Sequence, residues 1–193
     1  MQRGSSVRKA AHPIDPLFVD RWSPRAMTGE ALSEAELMVL FEAARWAPSS
    51  GNHQPWRILY ARRDTPHFQS FLGLLFEGNR GWAQRAGALA LFISRTTHND
   101  KPSPTHSYDT GAAWQNLALQ AYLKGYALHG IGGFDAARAR EVLRVPPEFA
   151  VEAMVVVGKL ADKSVLSEQL QAREHPNDRR PLEETICEGP YSL

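Results

Sequence analysis

The 193-residue sequence is short of several things, and each shortage narrows what the protein can be. It holds one cysteine, Cys187, which excludes an internal disulfide and suits a reducing compartment. Charge of one sign is lacking too: 22 Lys and Arg against 21 Asp and Glu leave a formal net charge of +1. No global field then favours nucleic acid, an anionic membrane or an acidic partner. No apolar run approaches the roughly 20 residues that cross a membrane. The opening "MQRGSSVRKAAHPID" is basic but has no apolar centre of the secretory kind. The expectation is a soluble cytoplasmic protein, although residues 1–14, with Arg, Ser and Ala and no acid, also have the composition of an organelle presequence.

Common catalytic signatures are missing as well. "GIGGFD" is not a full GxGxxG, and "GKL" at 158–160 lacks the spacing of a triphosphate loop. The seven histidines form no HExxH and no zinc-spaced pair with cysteine. His98, His106 and Asp109 are conceivable metal ligands, but solvated loop histidines are the simpler reading. Ser49 and Ser50 lie outside any GxSxG turn, so nothing marks them as nucleophiles. Chemistry by side chains alone is poorly supported, which leaves a bound cofactor as the agent and the protein as its holder.

A hydrophobic content of 43% over this length supports one buried core, read as a single domain with arms at both ends: 1–20, a core at 21–160, and 161–193. Ser33 followed by Glu36 predicts a capped helix over 33–47, with Leu37, Leu40, Phe41 and Ala44 on one face and Pro48 as its stop. "WRILYA" at 56–61, "GALALFISR" at 87–95 and "EAMVVVGKL" at 152–160 read as strands. Pro66 is expected to open a helix carrying Phe68, Phe71, Leu72 and Leu75 and ending near Gly78 and Asn79. Residues 96–107 read as a mobile loop and a candidate lid. Residues 108–124 read as the most hydrophobic helix, closed by Gly125. "ALHGIGGFD" at 127–135 reads as a glycine-rich turn, followed by a short helix over 136–144. Residues 161–193 show little apolar pattern and read as a tail or an arm packed on another subunit.

Two segments carry paired arginines. "RWSPR" sets Arg21 and Arg25 around Ser23, and "NDRRPLEE" offers Arg179 and Arg180. Guanidinium pairs suit a phosphate or an electron-rich ring, yet each segment alone reads equally as a solvated basic run. The polar stretch "APSSGNHQPW" at 47–56 lies between a helix and a strand.

In this order, "RWSPR", "APSSGNHQPW", "YDTGAAWQNLALQAYLKGYA", "GIGGFD" and "RRPLEE" make a pattern that resembles the nitroreductase family of flavin mononucleotide (FMN) enzymes, from Arg21 to about Glu184. The resemblance implies an α+β fold, a mostly antiparallel central sheet flanked by helices, in an intertwined homodimer with two flavins at the interface. It implies FMN as cofactor and NADH or NADPH as donor, in a ping-pong cycle whose oxidant is a nitroaromatic, a quinone or another conjugated electrophile. Specialised oxidase, dehalogenase and flavin-binding or sensor roles exist as alternatives within the same frame.

The same resemblance assigns residues. Arg21 and Arg179, with Arg180 beside it, match the phosphate arginines. Ser23 matches a flavin contact, and Arg25 the basic group at the pyrimidine edge, where it stabilises the charge of the reduced ring. Trp22 stands where several relatives have a smaller or polar residue. Pro48, Ser49, Ser50 and Asn52 match a loop that reaches the flavin from the partner subunit, with Gln54, Pro55 and Trp56 shaping it. Asn79 matches an asparagine near the ring. Gly130, Ile131, Gly132 and Gly133 match a turn across the flavin face, with Gly132 where many nitroreductases carry glutamate.

Overall fold

The computed structural model describes residues 2–191; Met1, Ser192 and Leu193, at the outer ends of the two expected arms, lie outside the described residues. Two compact units divide the chain. One comprises the residues up to Trp22 together with those from His175 onward, and the other is Ser23–Glu174.

The larger unit is built on four strands. Strand β1 (Trp56–Arg62) pairs antiparallel with β2 (Ala88–Arg95), which pairs antiparallel with a strand late in the chain, so the sheet is filled by a long return. Between and around these lie α2 (Glu34–Arg45), α3 (His67–Leu72), α4 (Glu77–Ala83), the two-stranded hairpin β3 (Thr97–His98) and β4 (Lys101–Pro102), α5 (His106–Leu123), β5 (Tyr126–Ile131), α6 (Ala136–Val142), β6 (Phe149–Lys159) and α7 (Glu168–Gln171). A short helix α1 (Pro16–Asp20) belongs to the smaller unit. The sheet order is β1-β2-β6-β5, with every pairing antiparallel.

The central strands are apolar on both faces because both faces are covered. Leu89, Leu91 and Ile93 of β2 and Met154 and Val156 of β6 join one core with Phe68, Phe71 and Trp82. The alternate residues Ala88, Ala90, Phe92, Val155 and Val157 join a second core with Leu37, Leu40, Leu117 and Ala121 from α2 and α5. Period-two geometry thus turns the unbroken runs "ALALF" and "MVVVG" into the middle layer of a three-layer structure. The register slips between Phe92 and Ile93, which face Ala153 and Val151. Glu152 is therefore the extra residue of a bulge, a device that re-aims a side chain.

Several expectations hold. Helix α2 begins with a reciprocal capping box in which Ser33 Oγ accepts from the Glu36 N–H at 3.2 Å and Glu36 Oε2 accepts from the Ser33 N–H at 2.7 Å. Gly125, at φ 75°, follows the end of α5 in the left-handed conformation that glycine takes without strain.

Three local expectations fail. The helix expected to run from Pro66 to Gly78 and Asn79 ends at Leu72, and both residues lie inside α4. The apolar stripe continues across this break because Leu75, buried outside any helix, bridges to Phe134. The expected loop at 96–107 contains a hairpin whose turn, Asn99 and Asp100 at φ 48° and 61°, uses the residue types that best tolerate that region. The glycine-rich turn is shorter than its composition suggests, since residues 126–131 form the edge strand β5, and the turn proper starts at Gly132.

Candidate functional site

At the end of β5 two glycines are required for a visible reason. A Cβ on Gly130 would stand 3.0 Å from the Trp114 ring of α5, and one on Gly133 would meet Asn79 Nδ2 at 2.5 Å. Asn79 Nδ2 donates to the Gly133 carbonyl at 3.1 Å, and the Phe76 N–H donates to the same oxygen at 3.2 Å. The structure therefore brings Asn79 onto the Gly130–Gly133 segment. A Cβ at Gly132 would meet nothing within 4 Å, so this part of the turn faces open space.

Gly130, Ile131 and Gly132 line a cavity of about 360 Å³ whose other walls include Thr110, Trp114 and Glu152. Thr110 is buried, and its Oγ1 has no hydrogen-bond partner among the described residues. A buried hydroxyl without a partner costs roughly 1–3 kcal/mol, which marks this wall as one that a ligand atom or water completes. Below it the bulged Glu152 anchors a polar knot. Its Oε1 accepts from Ser107 Oγ at 2.6 Å and from the fully buried Ser94 Oγ, which also lies 2.6 Å from His106 Nδ1. Nothing in the pattern of the sequence flagged Glu152 or Thr110: one heads an apolar run and the other sits inside an apolar helix.

Arg25 is half-buried and fixed from one side. Glu174 Oε1 accepts the N–H groups of Arg25 and Ala26 at 2.7 and 2.8 Å, and Glu174 Oε2 lies 3.8 Å from Arg25 Nη1. The guanidinium stands 5.9 Å over the Trp82 ring. Burial pulls the Arg25 pKa down, and Glu174 works against that shift. Ser23 is half-buried at the start of the same unit.

The loop after α2 has partners of its own. Ser49 Oγ accepts from the Gln54 N–H at 3.0 Å, and the Ser50 N–H donates to Asp109 Oδ2 at 3.2 Å. Gly51, Asn52 and Gln54 take positive φ values of 54°, 57° and 48°, which suits glycine and asparagine at the first two positions. Pro48, Ser50 and Asn52 are exposed, while Pro55 and Trp56 are buried and anchor the loop. His53 stacks on His98 of the hairpin, the rings 3.6 Å apart and 10° from parallel.

The smaller unit gathers positive charge. Arg8, 7% exposed, donates through Nε to the Asn177 carbonyl and through Nη1 to the carbonyls of Val19 and Arg21 at 2.9 and 2.8 Å. It thereby ties the end of α1 and Arg21 to the segment before Arg179. Burial, and then repulsion from Arg179 and Arg8, pulls the Arg21 pKa below its usual value. Arg180 is exposed beside Arg179. Trp22 is buried and gives its indole N–H to the Gln2 carbonyl at 2.8 Å. Arg8 escaped the sequence reading because "SSVRKAAH" has neither periodicity nor a partner motif.

Comparison with known proteins gives a consistent result. A family model described as the nitroreductase family matches residues 19–77 and 62–159. A crystal structure of an oxidoreductase containing FMN is 47% identical, with 96% of each chain covered and a TM-score of 0.93. An uncharacterised 15.4 kDa protein of Mycolicibacterium smegmatis is 30% identical over 63% of this chain and 82% of its own length. A putative NAD(P)H nitroreductase of Bacillus subtilis is 27% identical over 72% of this chain and 84% of its own.

Proposed function

The chain belongs to the nitroreductase family, and from that premise we propose that it is an FMN-dependent oxidoreductase that draws on NADH or NADPH and works as a homodimer. The observation that carries this reading is the arginine group of the smaller unit. Burial, with repulsion from Arg179 added to it, lowers the pKa values of both Arg8 and Arg21. Such an arrangement is stabilised by a dianion, and guanidinium forks match a phosphate in geometry and charge.

The residues fit FMN on three grounds. Arg21 and Arg179 suit its phosphate, with Arg8 holding their backbones in register and Arg180 close by in the chain. Three of the four residues in the turn Gly130–Gly133 are glycines and the Ile131 side chain is buried in the core, so little obstructs a planar ring there, and Asn79 secures the turn. The buried Thr110 hydroxyl offers a hydrogen bond that the protein leaves unmade. Bound FMN supplies hydride chemistry, receiving from a reduced nicotinamide and passing to a nitroaromatic, a quinone or a related electrophile.

The remaining residues bind and orient. Arg25, braced by Glu174, keeps a fixed positive charge where negative charge develops on reduction. Ser23 adds a hydroxyl beside it in the chain. Ser49, Ser50 and Asn52, with Pro48 at the head of their loop, present polar groups to the second subunit's site, which makes a lone monomer incomplete. Trp22, committed to Gln2, holds the N-terminal arm, an arrangement that favours turnover over a closed flavin-storage protein.

The visible spectrum of freshly purified protein, followed by anaerobic addition of NADH or NADPH, tests the reading. A two-banded flavin spectrum that one nucleotide bleaches is expected and identifies the donor. A colourless protein that FMN cannot reconstitute would overturn the assignment.

A further inference from the structure

Where β2 ends beside the start of β1 lies a cavity of about 440 Å³, lined by His53, Arg57, Arg95, Thr97, His98 and Asp100 among others, that the reading above leaves unused. Strand geometry explains why two cations meet there. The Arg95 N–H donates to the Pro55 carbonyl at 2.9 Å, and Arg57 stands opposite Ile93 in the ladder. Arg57 and Arg95 are thus diagonal neighbours on one face, their Cα atoms about 7–8 Å apart. Thr97, beyond the end of β2 and at the start of β3, lines the same cavity.

Among the described residues neither guanidinium of this pair meets a carboxylate. Arg57 Nη1 donates to the carbonyls of Gln54 and Trp56 at 3.2 and 2.7 Å, which fixes the side chain without neutralising it. Arg95 is exposed, with no hydrogen bond or ion pair from its guanidinium. Asp100, the one acidic group of the lining, sits in the hairpin turn and pairs with neither. The His53–His98 stack forms a flat flank, and His53 Nδ1 is buried there with no hydrogen-bond partner among the described residues. A smaller cavity of about 320 Å³ shares both histidines and adds Lys101.

We propose that this cavity is a binding site for a phosphate dianion, free or carried as a monoester, gripped between Arg57 and Arg95 against the His53–His98 flank. Two unneutralised guanidiniums on one sheet face call for a ligand of charge near −2, and a tetrahedral phosphate can accept paired donors from both. A carboxylate ligand would balance only one of the two guanidiniums. Free phosphate and the 2′-phosphate of NADPH share this chemistry; the second source rests on the oxidoreductase reading above, whereas the first does not.

Calorimetric titration of the full-length, FMN-loaded protein in phosphate-free buffer tests the site, with inorganic phosphate and adenosine 2′,5′-bisphosphate as probes. Both are expected to bind. A bisphosphate at least tenfold tighter identifies a nucleotide as the ligand, and equal affinities identify free phosphate. Arg95→Ala, at an exposed position that the fold does not use, is expected to weaken both probes tenfold or more, and Arg57→Ala likewise. Arg21→Ala, which lies in the other arginine group and is titrated as purified with little FMN, is expected to leave phosphate affinity at this cavity unchanged. Absence of binding to the parent, or binding that survives Arg95→Ala and Arg57→Ala at full strength, would overturn the proposal. Should the protein hold no FMN, the same titrations on the protein as purified still read the cavity, because Arg21→Ala separates the two sites.

Discussion

Arg8 shows how a residue remote from any recognisable motif can govern a site. Its guanidinium bonds the carbonyls of Val19, Arg21 and Asn177 and so sets the backbone from which Arg21 and Arg179 project. Arg21→Ala is expected to release most of the FMN during purification, measured as the ratio of flavin to protein absorbance. Arg8→Ala is expected to lower the same ratio less, since it leaves both proposed phosphate ligands present but misaligned; full retention in both variants would refute the arginine assignment. Gly133 makes a second case at this scale. Gly133→Ala places a methyl group 2.5 Å from Asn79 Nδ2, so the asparagine must swing away and surrender its bond to the Gly133 carbonyl. A loss of about 1 kcal/mol follows from that bond alone. Pairing it with Asn79→Ala should relieve the clash, and a double-mutant cycle by urea denaturation would show coupling rather than additivity.

Elements differ in how plainly the chain announces them, and the difference is physical. Helix α2 was legible end to end because its cap, its apolar stripe and its proline stop are all local signals. Ser33→Ala should destabilise the protein by about 1 kcal/mol, read from the denaturation midpoint. The same cap gives a pH signature. Bonds from Ser33 and Tyr126 hold the Glu36 carboxyl below its ordinary value of 4.5. A depressed carboxyl adds stability that is present above 4.5 and lost as pH falls through the lowered value. Ser33→Ala should therefore flatten the fall in stability below pH 4.5, and an unchanged acid limb would argue against this cap as its source. The central strands were legible for the same reason, as apolar runs buried on both faces. By contrast β3 and β4, two residues each, are too short to show alternation. Strand β5 was masked by Gly130, which admits the Trp114 ring, and by the glycines just beyond its end, a tertiary cause invisible in local pattern. Among the candidate residues, the glycines, Asn79 and the arginine pairs stood in quotable motifs, whereas Arg8, Glu152 and Glu174 make contacts far apart in sequence and Thr110 is marked only by a buried hydroxyl left unbonded among the described residues.

For the molecule as a whole, the outer side of α5 points to a second copy of the chain. Tyr108 and Leu123 are 83% and 63% exposed at its two ends. Between them Gly111 is exposed and Ala112 and Leu119 are half-buried, and Leu119 packs into neither core. Tyr108 and Leu119, eleven residues apart, follow the helical repeat and share one stripe, beside Ala112, which also packs on the second core. Small residues such as Gly111 and Ala112 permit another helix to approach closely, and an apolar stripe of this kind is unfavourable in water unless it is covered. The adjoining α2 adds exposed Met38 and Val39, with Trp46 at its end. Light scattering on the purified protein is expected to give twice the 21.5 kDa of one chain. Leu119→Glu sets a charge on that stripe while leaving the packed side of α5, where Ala113, Leu117, Ala118 and Ala121 are buried, as it is. The variant should keep its far-ultraviolet circular dichroism, shift to the mass of one chain, and lose flavin as it dissociates, because the loop carrying Ser50 and Asn52 would no longer reach a partner's site. A variant that becomes monomeric yet retains FMN would show instead that one chain completes its own site, and would remove that loop from the flavin-binding set.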